Sequence, residues 1–300
     1  MRILVLGGTG YLGRHVAARL RALPGARILA AGRSSADGFG VDLAADPAER
    51  LAKTLAAAAP DAVVNCAGVT GGDPVTLAEV NARGPAVLCA ALREAAPTAR
   101  LVHLGSAAEY GPGAPGTPVT ESAPACPVTL YGATKLAGTV AITTSALDGV
   151  VLRVGNPVGP GAPMASLPGR MAALLRSAGR EPQALLRLGD LSAHRDFVDV
   201  RDVAQAVALV VTTPGHLPPV LNISGGAAVA VRELVHVLSR LADFRGRLEE
   251  GAGGGSARSA PVSWQCSDIS AAARALGWRP AHTLDDALAA LWSATAESVP

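Results

Sequence analysis

Residues 3–13 read Ile-Leu-Val-Leu-Gly-Gly-Thr-Gly-Tyr-Leu-Gly. The apolar run 3–6 is typical of a buried parallel strand, and a helical pattern opens at Gly13. Between them, glycines at 7, 10 and 13 follow the spacing Gly-x-x-Gly-x-x-Gly, a variant of the dinucleotide-binding turn. Glycines allow a tight turn that brings backbone N–H groups against a pyrophosphate at the helix N-terminus. The expected cofactor contacts in this turn are Gly7, Gly10, Tyr11, Leu12 and Gly13.

The alternation of apolar runs and helical patterns continues along the chain. Further strands are predicted near 28–31, 63–66, 101–104, 150–154 and 220–223, and helices over 44–58, 81–95 and 131–147. This order predicts an α/β fold with a Rossmann-type doubly wound parallel sheet and right-handed crossovers. Ligands of such sheets bind at the carboxyl ends of the strands, so we expect the functional site there.

The composition argues against several classes of partner. The net charge is +2 over 300 residues and no block of Lys or Arg occurs, so we expect neither a nucleic acid nor a membrane as partner. No apolar run approaches the ~20 residues that cross a bilayer. Because the first predicted strand begins at Arg2, we expect no signal peptide. The four cysteines and six histidines are dispersed, which favours reduced thiols in a cytoplasm and no metal site.

A second informative stretch reads Leu-Tyr-Gly-Ala-Thr-Lys over 130–135. The chain has three tyrosines and only two lysines, Lys53 and Lys135, so the spacing Tyr-x-x-x-Lys is improbable by chance. On a helix, Tyr131 and Lys135 lie one turn apart on the same face. An ammonium group there favours the phenolate and lowers the pKa of the tyrosine towards working pH. Tyr131 is therefore a candidate general acid/base.

Together with six further motifs, these stretches resemble the extended short-chain dehydrogenases/reductases of the nucleotide-sugar epimerase/dehydratase family. The motifs follow the order of that family over nearly the whole chain. They are Asn-Cys-Ala-Gly at 65–68, Leu-Gly-Ser-Ala-Ala-Glu-Tyr-Gly at 104–111, Arg-Val-Gly-Asn-Pro-Val-Gly-Pro-Gly at 153–161, Arg-Asp-Phe-Val-Asp-Val-Arg-Asp-Val-Ala at 195–204, Asn-Ile-Ser-Gly-Gly at 222–226 and Leu-Gly-Trp-Arg-Pro at 276–280.

The resemblance implies roles for particular residues. It makes Ser106, Tyr131 and Lys135 the catalytic triad, with Tyr131 and Lys135 also contacting the cofactor. It implies a dinucleotide-binding domain of 1–155 plus about 196–223, and a smaller discontinuous substrate-binding lobe of about 156–195 plus 224–300. We also expect a homodimer. The loop beside the adenine ribose would consist of Cys66, Ala67 and Gly68.

The second predicted strand bears on the choice of cofactor. Folds that prefer NAD place an acid after this strand, on the ribose 2′-hydroxyl. Here residues 31–35 read Ala-Gly-Arg-Ser-Ser, without a carboxylate until Asp37. Arg33 suits a 2′-phosphate and Ser34 adds a hydroxyl donor, which favours NADPH. Alternatively, Arg33 stacks on adenine, a role compatible with NAD. Asp42 and Leu43 resemble the family's adenine-contacting pair and do not discriminate between the two cofactors.

The residues after the serine bear on the reaction. Related 4,6-dehydratases carry an Asp-Glu pair there, and the fucose-synthase type carries a cysteine two places on, whereas this chain has Ala107 and Ala108. Strand alternation would direct Glu109 to the other face of the sheet. The prediction is NADPH-dependent reduction of a keto group on a nucleotide-linked deoxysugar, such as a 4-keto hexose. The alternatives are an NAD-dependent nucleotide-sugar 4-epimerase, a ketoreductase of an aromatic or polyketide metabolite, and a non-catalytic NADPH-binding sensor.

The resemblance also implies a nucleoside-diphosphate sugar as the substrate. Asn156, Arg195 and Arg258 fall on the family's substrate-binding positions, and Ser106 would contact the reacting group. Arginine suits a diphosphate because its fork donates in parallel to adjacent oxygens. Arg195 has the family's Arg-Asp-Phe-Val context. Arg258 stands in Arg-Ser-Ala-Pro, without the family's nearby acid.

Overall fold

The computed structural model describes residues 1–33, 38–251 and 262–296, so the expected site residues Ser34 and Arg258 lie outside the described residues. Within those ranges the strands are β1 (Arg2–Leu6), β2 (Arg27–Gly32), β3 (Phe39–Gly40), β4 (Ala62–Asn65), β5 (Arg100–Ser106), β6 (Gly149–Val154), β7 (Asn156–Val158), β8 (Leu185–Leu188), β9 (His194–Asp199), β10 (Val220–Ile223), β11 (Ala228–Ala230) and β12 (Arg247–Glu250).

The α-helices of the same ranges are α1 (Tyr11–Arg21), α2 (Ala48–Ala58), α3 (Pro74–Ala78), α4 (Gly84–Ala95), α5 (Leu130–Thr143), α6 (Leu167–Ala178), α7 (Val200–Thr212), α8 (Val231–Leu241), α9 (Ser270–Leu276) and α10 (Leu284–Ala296). A π-helical turn occupies Glu79–Arg83 and a 3-10 turn Ala107–Glu109. In the part of the chain that the structure describes, no helix combines the length and apolar character that spanning a membrane would require.

A seven-stranded sheet forms the centre of the molecule, in the order β10-β6-β5-β4-β1-β2-β3. Every neighbouring pair is parallel. All the strands predicted from the sequence lie in this sheet, which confirms the doubly wound α/β fold. The sequence did not predict two smaller sheets, which have the orders β11-β9-β7 and β12-β8.

Both faces of the central sheet are covered. Along β1, Ile3 and Val5 pack into a core with α1, α7 and α9, whereas Leu4 and Leu6 pack into a second core with α2, α4 and α5. Because successive side chains of a strand point to opposite faces, a strand buried on both sides reads as one continuous apolar run. This explains why residues 3–6 are uniformly apolar.

Two helices are shorter than predicted, each for a local reason. We predicted a helix from residue 44, but α2 begins after Pro47, because the residue before a proline disfavours the helical conformation. We predicted another to residue 147, but α5 ends at Thr143. Beyond it, the Thr144 hydroxyl donates to Val140 O at 2.7 Å and Ala146 has a φ of 61°. Hydroxyl side chains that bond nearby carbonyls compete with helical structure.

A third core lies outside the central sheet and joins α6, α8 and α10 to the smaller sheets. The division into two lobes remains a prediction. One segment of the expected substrate lobe packs elsewhere: Ala272, Leu276 and Trp278 belong to the core that contains Ile3 and Val5. Trp278 is 1% exposed, and its indole Nε1 donates to Asp202 O at 3.0 Å.

Replacing Trp278 with alanine should destabilise the whole fold. Removing a fully buried tryptophan costs ~3–5 kcal/mol of unfolding free energy, because it leaves a cavity and loses transfer free energy. Leu241→Ala provides the control, since Leu241 is 38% exposed and its truncation should cost about 1 kcal/mol or less. Urea denaturation measures both variants. Equal losses would contradict the importance of Trp278 to the central core.

Candidate active site

The glycine turn between β1 and α1 has the geometry of a phosphate cradle. Gly7 has a φ of 72°, and a Cβ there would lie 2.6 Å from Ala67 N. A Cβ on Gly13 would collide with Gly7 O. Gly10 caps α1 without a side-chain hydrogen bond. The first N–H groups of a helix have no partner within that helix, so this turn fits a pyrophosphate at the start of α1.

The first turns of α1 also hold the loop 159–161. The Tyr11 hydroxyl donates to Gly159 O at 3.4 Å, and His15 Nε2 lies 3.0 Å from Pro160 O. Arg14 donates to Gly161 O. Two sequence motifs that are about 150 residues apart in the chain are therefore joined directly.

A cleft of about 350 Å³ lies beyond the carboxyl end of β2. Arg33 is exposed and lines this cleft together with Asp42, Asp46 and Arg50. Arg50 pairs with Asp46 at 3.1 Å. Leu43 is buried beside the cleft. Two guanidinium groups and two carboxylates are thus present at the position where the sequence predicts the adenosine end of the cofactor.

The loop 66–68 follows β4 and lies beside the glycine turn. Asn65 is fully buried, and its Oδ1 accepts a hydrogen bond from Ala67 N at 3.0 Å. Its Nδ2 has no partner among the described residues. Burial raises the pKa of the Cys66 thiol to about 12, so this thiol stays protonated at neutral pH. A Cβ on Gly68 would lie 3.9 Å from Lys135 Nζ, so the loop reaches α5.

The candidate catalytic residues meet at the carboxyl end of β5. Ser106 is the last residue of that strand, in the middle of the central sheet. The following 3-10 turn packs on the first turn of α5, where a Cβ on Gly132 would lie 2.5 Å from Ala108 O. Tyr131 is half-buried in this first helical turn, and Lys135 follows one turn later. The structure therefore brings Ser106, Tyr131 and Lys135 to one site.

Lys135 is 4% exposed, and two hydrogen-bond acceptors lie near its ammonium group. Its Nζ donates to Leu104 O at 2.6 Å and lies 3.3 Å from His103 Nε2. Burial lowers the pKa of Lys135 to about 8, while the negative charge of the nearby Glu109 acts to raise it. Burial, followed by the charge of Lys135, keeps the pKa of His103 well below its ordinary value. His103 is therefore neutral and can accept a hydrogen bond from the ammonium group.

The position of Glu109 differs from the expectation. We placed it by strand alternation, but β5 ends at Ser106 and Glu109 lies on the 3-10 turn. It is fully buried and accepts from Ser106 N at 2.7 Å. It also accepts from Thr139 Oγ1 and Arg153 Nε, each at 2.8 Å. The sequence analysis missed this network, because a single Glu after the motif gives no signal of its partners.

Asn81 is a second residue that the sequence analysis missed. It lies in the π-helical turn, where Nδ2 donates to Val69 O at 2.9 Å and Oδ1 accepts from Val69 N at 3.0 Å. Its Nδ2 also donates to Thr134 Oγ1 at 3.3 Å. Asn81 thus ties the loop after β4 to α5. Asn81 is the first residue of the predicted helix 81–95, where an asparagine is an ordinary cap, so its position carried no signal of this role.

The expected substrate residues lie on neighbouring strands of the three-stranded sheet. Asn156, on β7, donates to Asp196 O and to Gln265 Oε1, each at 3.2 Å. Arg195, on β9, is 7% exposed and donates from Nη1 to His194 O at 2.8 Å. The strands β7 and β9 pair in parallel. The structure therefore brings Asn156 and Arg195 close to one another.

Comparison with known proteins identifies the family. Residues 3–224 match the model of the NAD dependent epimerase/dehydratase family. A relative named dTDP-6-deoxy-L-talose 4-dehydrogenase (NAD(P)(+)), from Kitasatospora kifunensis, is 40% identical over 98% of this chain and 95% of its own length.

Two solved structures share the whole architecture. RMD from Pseudomonas aeruginosa, complexed with NADPH, has a TM-score of 0.85 and 25% identity, and the match covers 99% of both chains. MoeE5 in complex with UDP-glucuronic acid and NAD has a TM-score of 0.84 and 25% identity, and the match covers 100% of both chains. The family match, the 40% identity and the shared architecture agree with the motifs: this chain belongs to the NAD-dependent epimerase/dehydratase family of the extended short-chain dehydrogenases/reductases.

Proposed function

We propose that this protein uses NADPH to reduce a keto group on a nucleotide-linked deoxysugar, such as a 4-keto hexose. The observation that carries the proposal is the meeting of Ser106, Tyr131 and Lys135 at the end of β5, next to two alanines. Those groups can move one proton at a carbonyl oxygen. Ala107 and Ala108 cannot move the further protons that a dehydration requires. The name of the 40% identical relative, a 4-dehydrogenase of a dTDP-deoxysugar, supports the same chemistry.

The residues around the glycine turn fit a nicotinamide dinucleotide. Backbone N–H groups at Tyr11, Leu12 and Gly13 would hold the pyrophosphate, and Gly10 would shape the turn, since its N–H donates to Gly7 O at 3.1 Å. A side chain on Gly7 or Gly13 would collide with the main chain that forms the cradle. When bound, the cofactor supplies the hydride that reduces the keto group. The loop Cys66, Ala67 and Gly68 and the pair Asp42 and Leu43 would line the rest of the cofactor.

The chain's own residues would handle the proton. The hydroxyls of Ser106 and Tyr131 would donate hydrogen bonds to the carbonyl oxygen of the substrate and polarise it. Tyr131 would then transfer its phenolic proton to that oxygen as a general acid. Lys135 would stabilise the phenolate that remains, because an adjacent positive charge favours the charged form of a phenol.

Arg33 supports NADPH over NAD. It is exposed at the cleft beyond β2, and Arg50 lines the same cleft. Two guanidinium groups suit a 2′-phosphate, which they bind through charge-assisted hydrogen bonds. Ser34 would add a hydroxyl donor.

The second candidate is an NAD-dependent nucleotide-sugar 4-epimerase. Asp46 also lines the cleft beyond β2, and a carboxylate suits the free ribose 2′-hydroxyl of NAD. The same Ser106, Tyr131 and Lys135 would serve both reactions. Mass spectrometry of the purified protein separates the two, since tightly retained NAD favours the epimerase.

Asn156, Arg195 and Arg258 would hold the diphosphate of the substrate. The low exposure of Arg195 strengthens this assignment, because a desolvated guanidinium forms stronger bonds with phosphate oxygens than an exposed one. The position of Asn156 on the neighbouring strand supports a joint role.

Tyr131→Phe should abolish turnover while cofactor affinity stays within a few-fold of the wild type. The phenol carries the transferred proton, and losing a general acid typically costs ~10²–10⁴ in rate. Steady-state kinetics and cofactor fluorescence titration measure the two quantities. A variant that kept more than about a tenth of the activity would refute the role of Tyr131.

Arg33→Asp should weaken NADPH binding sharply and improve NADH binding, since it places an acid where the 2′-phosphate would lie. Arg27→Asp is the matched control: Arg27 is an exposed arginine at the opposite end of the same strand. Fluorescence titration with both cofactors decides the outcome. Equal NADPH affinity in wild type and Arg33→Asp would favour the NAD-dependent epimerase.

A nucleoside diphosphate alone should raise the melting temperature, because a ligand that binds only the folded state stabilises it by mass action. Arg195→Ala should remove much of this shift, since a hydrogen bond to a charged group contributes roughly 1.5–3 kcal/mol. Arg247→Ala, at an exposed arginine on β12, is the control. UDP, TDP and GDP are each tested against the melting point of the same variant without ligand. If none shifts the wild type at millimolar concentration, the nucleotide-sugar substrate is excluded and a small ketone becomes the leading candidate.

A further inference from the structure

Glu109 is a fully buried acidic residue that has no role in the proposed mechanism. Its carboxylate makes three hydrogen bonds inside the protein, to Ser106 N, Thr139 Oγ1 and Arg153 Nε. Burying a carboxylate is costly unless it is paired and fully hydrogen-bonded. A buried carboxylate with three hydrogen bonds, three residues after the candidate catalytic serine, suggests a role in the active site.

The first link runs to Ser106 through the main chain. Glu109 Oε1 accepts from Ser106 N at 2.7 Å, and Ser106 Oγ accepts from Ala108 N at 3.2 Å. This reciprocal arrangement is a capping box, which fixes the start of a helical turn. A Cβ on Gly105 would lie 2.8 Å from Glu109 Oε1, so the glycine leaves room for the carboxylate. Glu109 thereby sets the orientation of the serine hydroxyl.

The second link runs to Lys135 through α5. Tyr131, Lys135 and Thr139 follow one another at intervals of four residues, which places them on one face of the helix. Thr139 Oγ1 donates to Glu109 Oε2 at 2.8 Å. The carboxylate therefore lies against the face of α5 that carries the lysine. Its negative charge favours the ammonium form and opposes the effect of burial, which lowers the pKa of Lys135 to about 8.

Arg153 pairs with the buried carboxylate. Its Nε donates to Glu109 Oε2 at 2.8 Å, and both side chains are almost completely buried. The guanidinium group also lies over the ring of Tyr110, 4.4 Å from the centroid. The Tyr110 hydroxyl in turn donates to Asn222 Oδ1 at 2.8 Å. Arg153 is thus held in place from two sides and cannot easily leave its partner.

The other titratable groups around Lys135 do not supply a negative charge. His103, from β5, is neutral, and the Cys66 thiol, after β4, stays protonated. Tyr131, on the same helix, is the group whose phenolate Lys135 would stabilise. Among the groups named here, Glu109 is therefore the one whose negative charge stabilises the ammonium form of Lys135.

We propose that Glu109 is a positioning residue of the active site, which orients Ser106 through its backbone N–H and keeps Lys135 in the ammonium form through its charge. Its effect on turnover rests on the proposed function, whereas its effect on Lys135 does not. Glu109 touches neither substrate nor cofactor in this role. It acts through two residues that do.

The lysine composition makes a direct test possible. The chain contains two lysines, and Lys53 is exposed on α2. Protein labelled with [13Cε]lysine therefore gives two NMR signals, and Lys53→Arg assigns them. In the wild type, the Lys135 signal should titrate with a midpoint near pH 8. In Glu109→Gln, which retains an acceptor for Ser106 N but loses the charge, the midpoint should move to lower pH while that of Lys53 stays unchanged.

Two variants serve as controls for the titration. Thr139→Val removes one hydrogen bond but leaves the charge of Glu109, so the Lys135 midpoint should stay near that of the wild type. Asp202→Asn neutralises another buried carboxylate, which lies on α7 and not beside α5. The oxygens of Asp202 lie 3.0 Å from His282 N and 2.9 Å from His282 Nδ1. This variant should not move the midpoint either. A shift of equal size in Asp202→Asn would overturn the specific role of Glu109.

Glu109→Gln leaves the Arg153 charge unpaired and could prevent folding, because breaking a buried pair on one side is strongly destabilising. The double variant Glu109→Gln/Arg153→Gln removes both charges and avoids this penalty. Glu109, but not Arg153, is among the groups that shift the pKa of Lys135, so the midpoint should fall in the double variant as well. An unchanged midpoint in a folded variant would overturn the proposal.

Kinetics provides the second readout. Glu109→Gln should lower kcat by ~10- to 100-fold, the scale of a misplaced catalytic group. Reduction requires the ammonium form of Lys135, so activity falls as pH rises through its pKa. The variant should therefore lose activity at lower pH than the wild type does. If the wild type reduces no nucleotide-linked ketose while the NMR midpoint still shifts, the proposed function fails and the role of Glu109 towards Lys135 stands.

Discussion

Direct contact between main-chain atoms at the glycine turn is the constraint on which the rest of the site depends. A Cβ on Gly7 would lie 2.6 Å from Ala67 N, so β1, α1 and the loop after β4 meet with no side chain between them. Since that loop is drawn against the turn, Gly68 comes to lie beside Lys135 on α5. One short contact therefore places the phosphate cradle and the candidate catalytic helix at the same edge of the sheet.

The candidate active site also depends on buried charged side chains. Lys135 is buried beside a backbone carbonyl and a neutral histidine, and the Glu109–Arg153 pair is bonded to Thr139 on the same helix. Buried ion pairs contribute little net stability, because desolvation offsets the attraction between the charges. Their retention here is better explained by what they do to neighbouring groups. A lysine whose pKa lies near 8 is poised between two protonation states, so small changes in its surroundings alter its charge.

The sequence predicted the central sheet well and the polar network poorly, for a physical reason. Continuous apolar runs such as residues 3–6 and 150–152 mark strands buried on both faces, and the glycine spacing identifies a turn that no other residue can form. The strands β7 and β11 have three residues each and β9 is mostly polar, and their register depends on contacts between distant segments. Glu109 is similar: its partners Thr139 and Arg153 come from other elements, and local spacing cannot reveal them.

The packing of Trp278 has a consequence for the order of events during synthesis. Residues 272–278 complete the same core as Ile3 and Val5, although about 270 residues separate them along the chain. A domain whose first strand packs against so late a segment cannot finish folding while the ribosome still holds that segment. Contacts across such a separation also slow folding, because a long loop must close before they form. The nascent amino-terminal half must therefore wait, with part of its apolar surface exposed, until residues 272–278 have emerged.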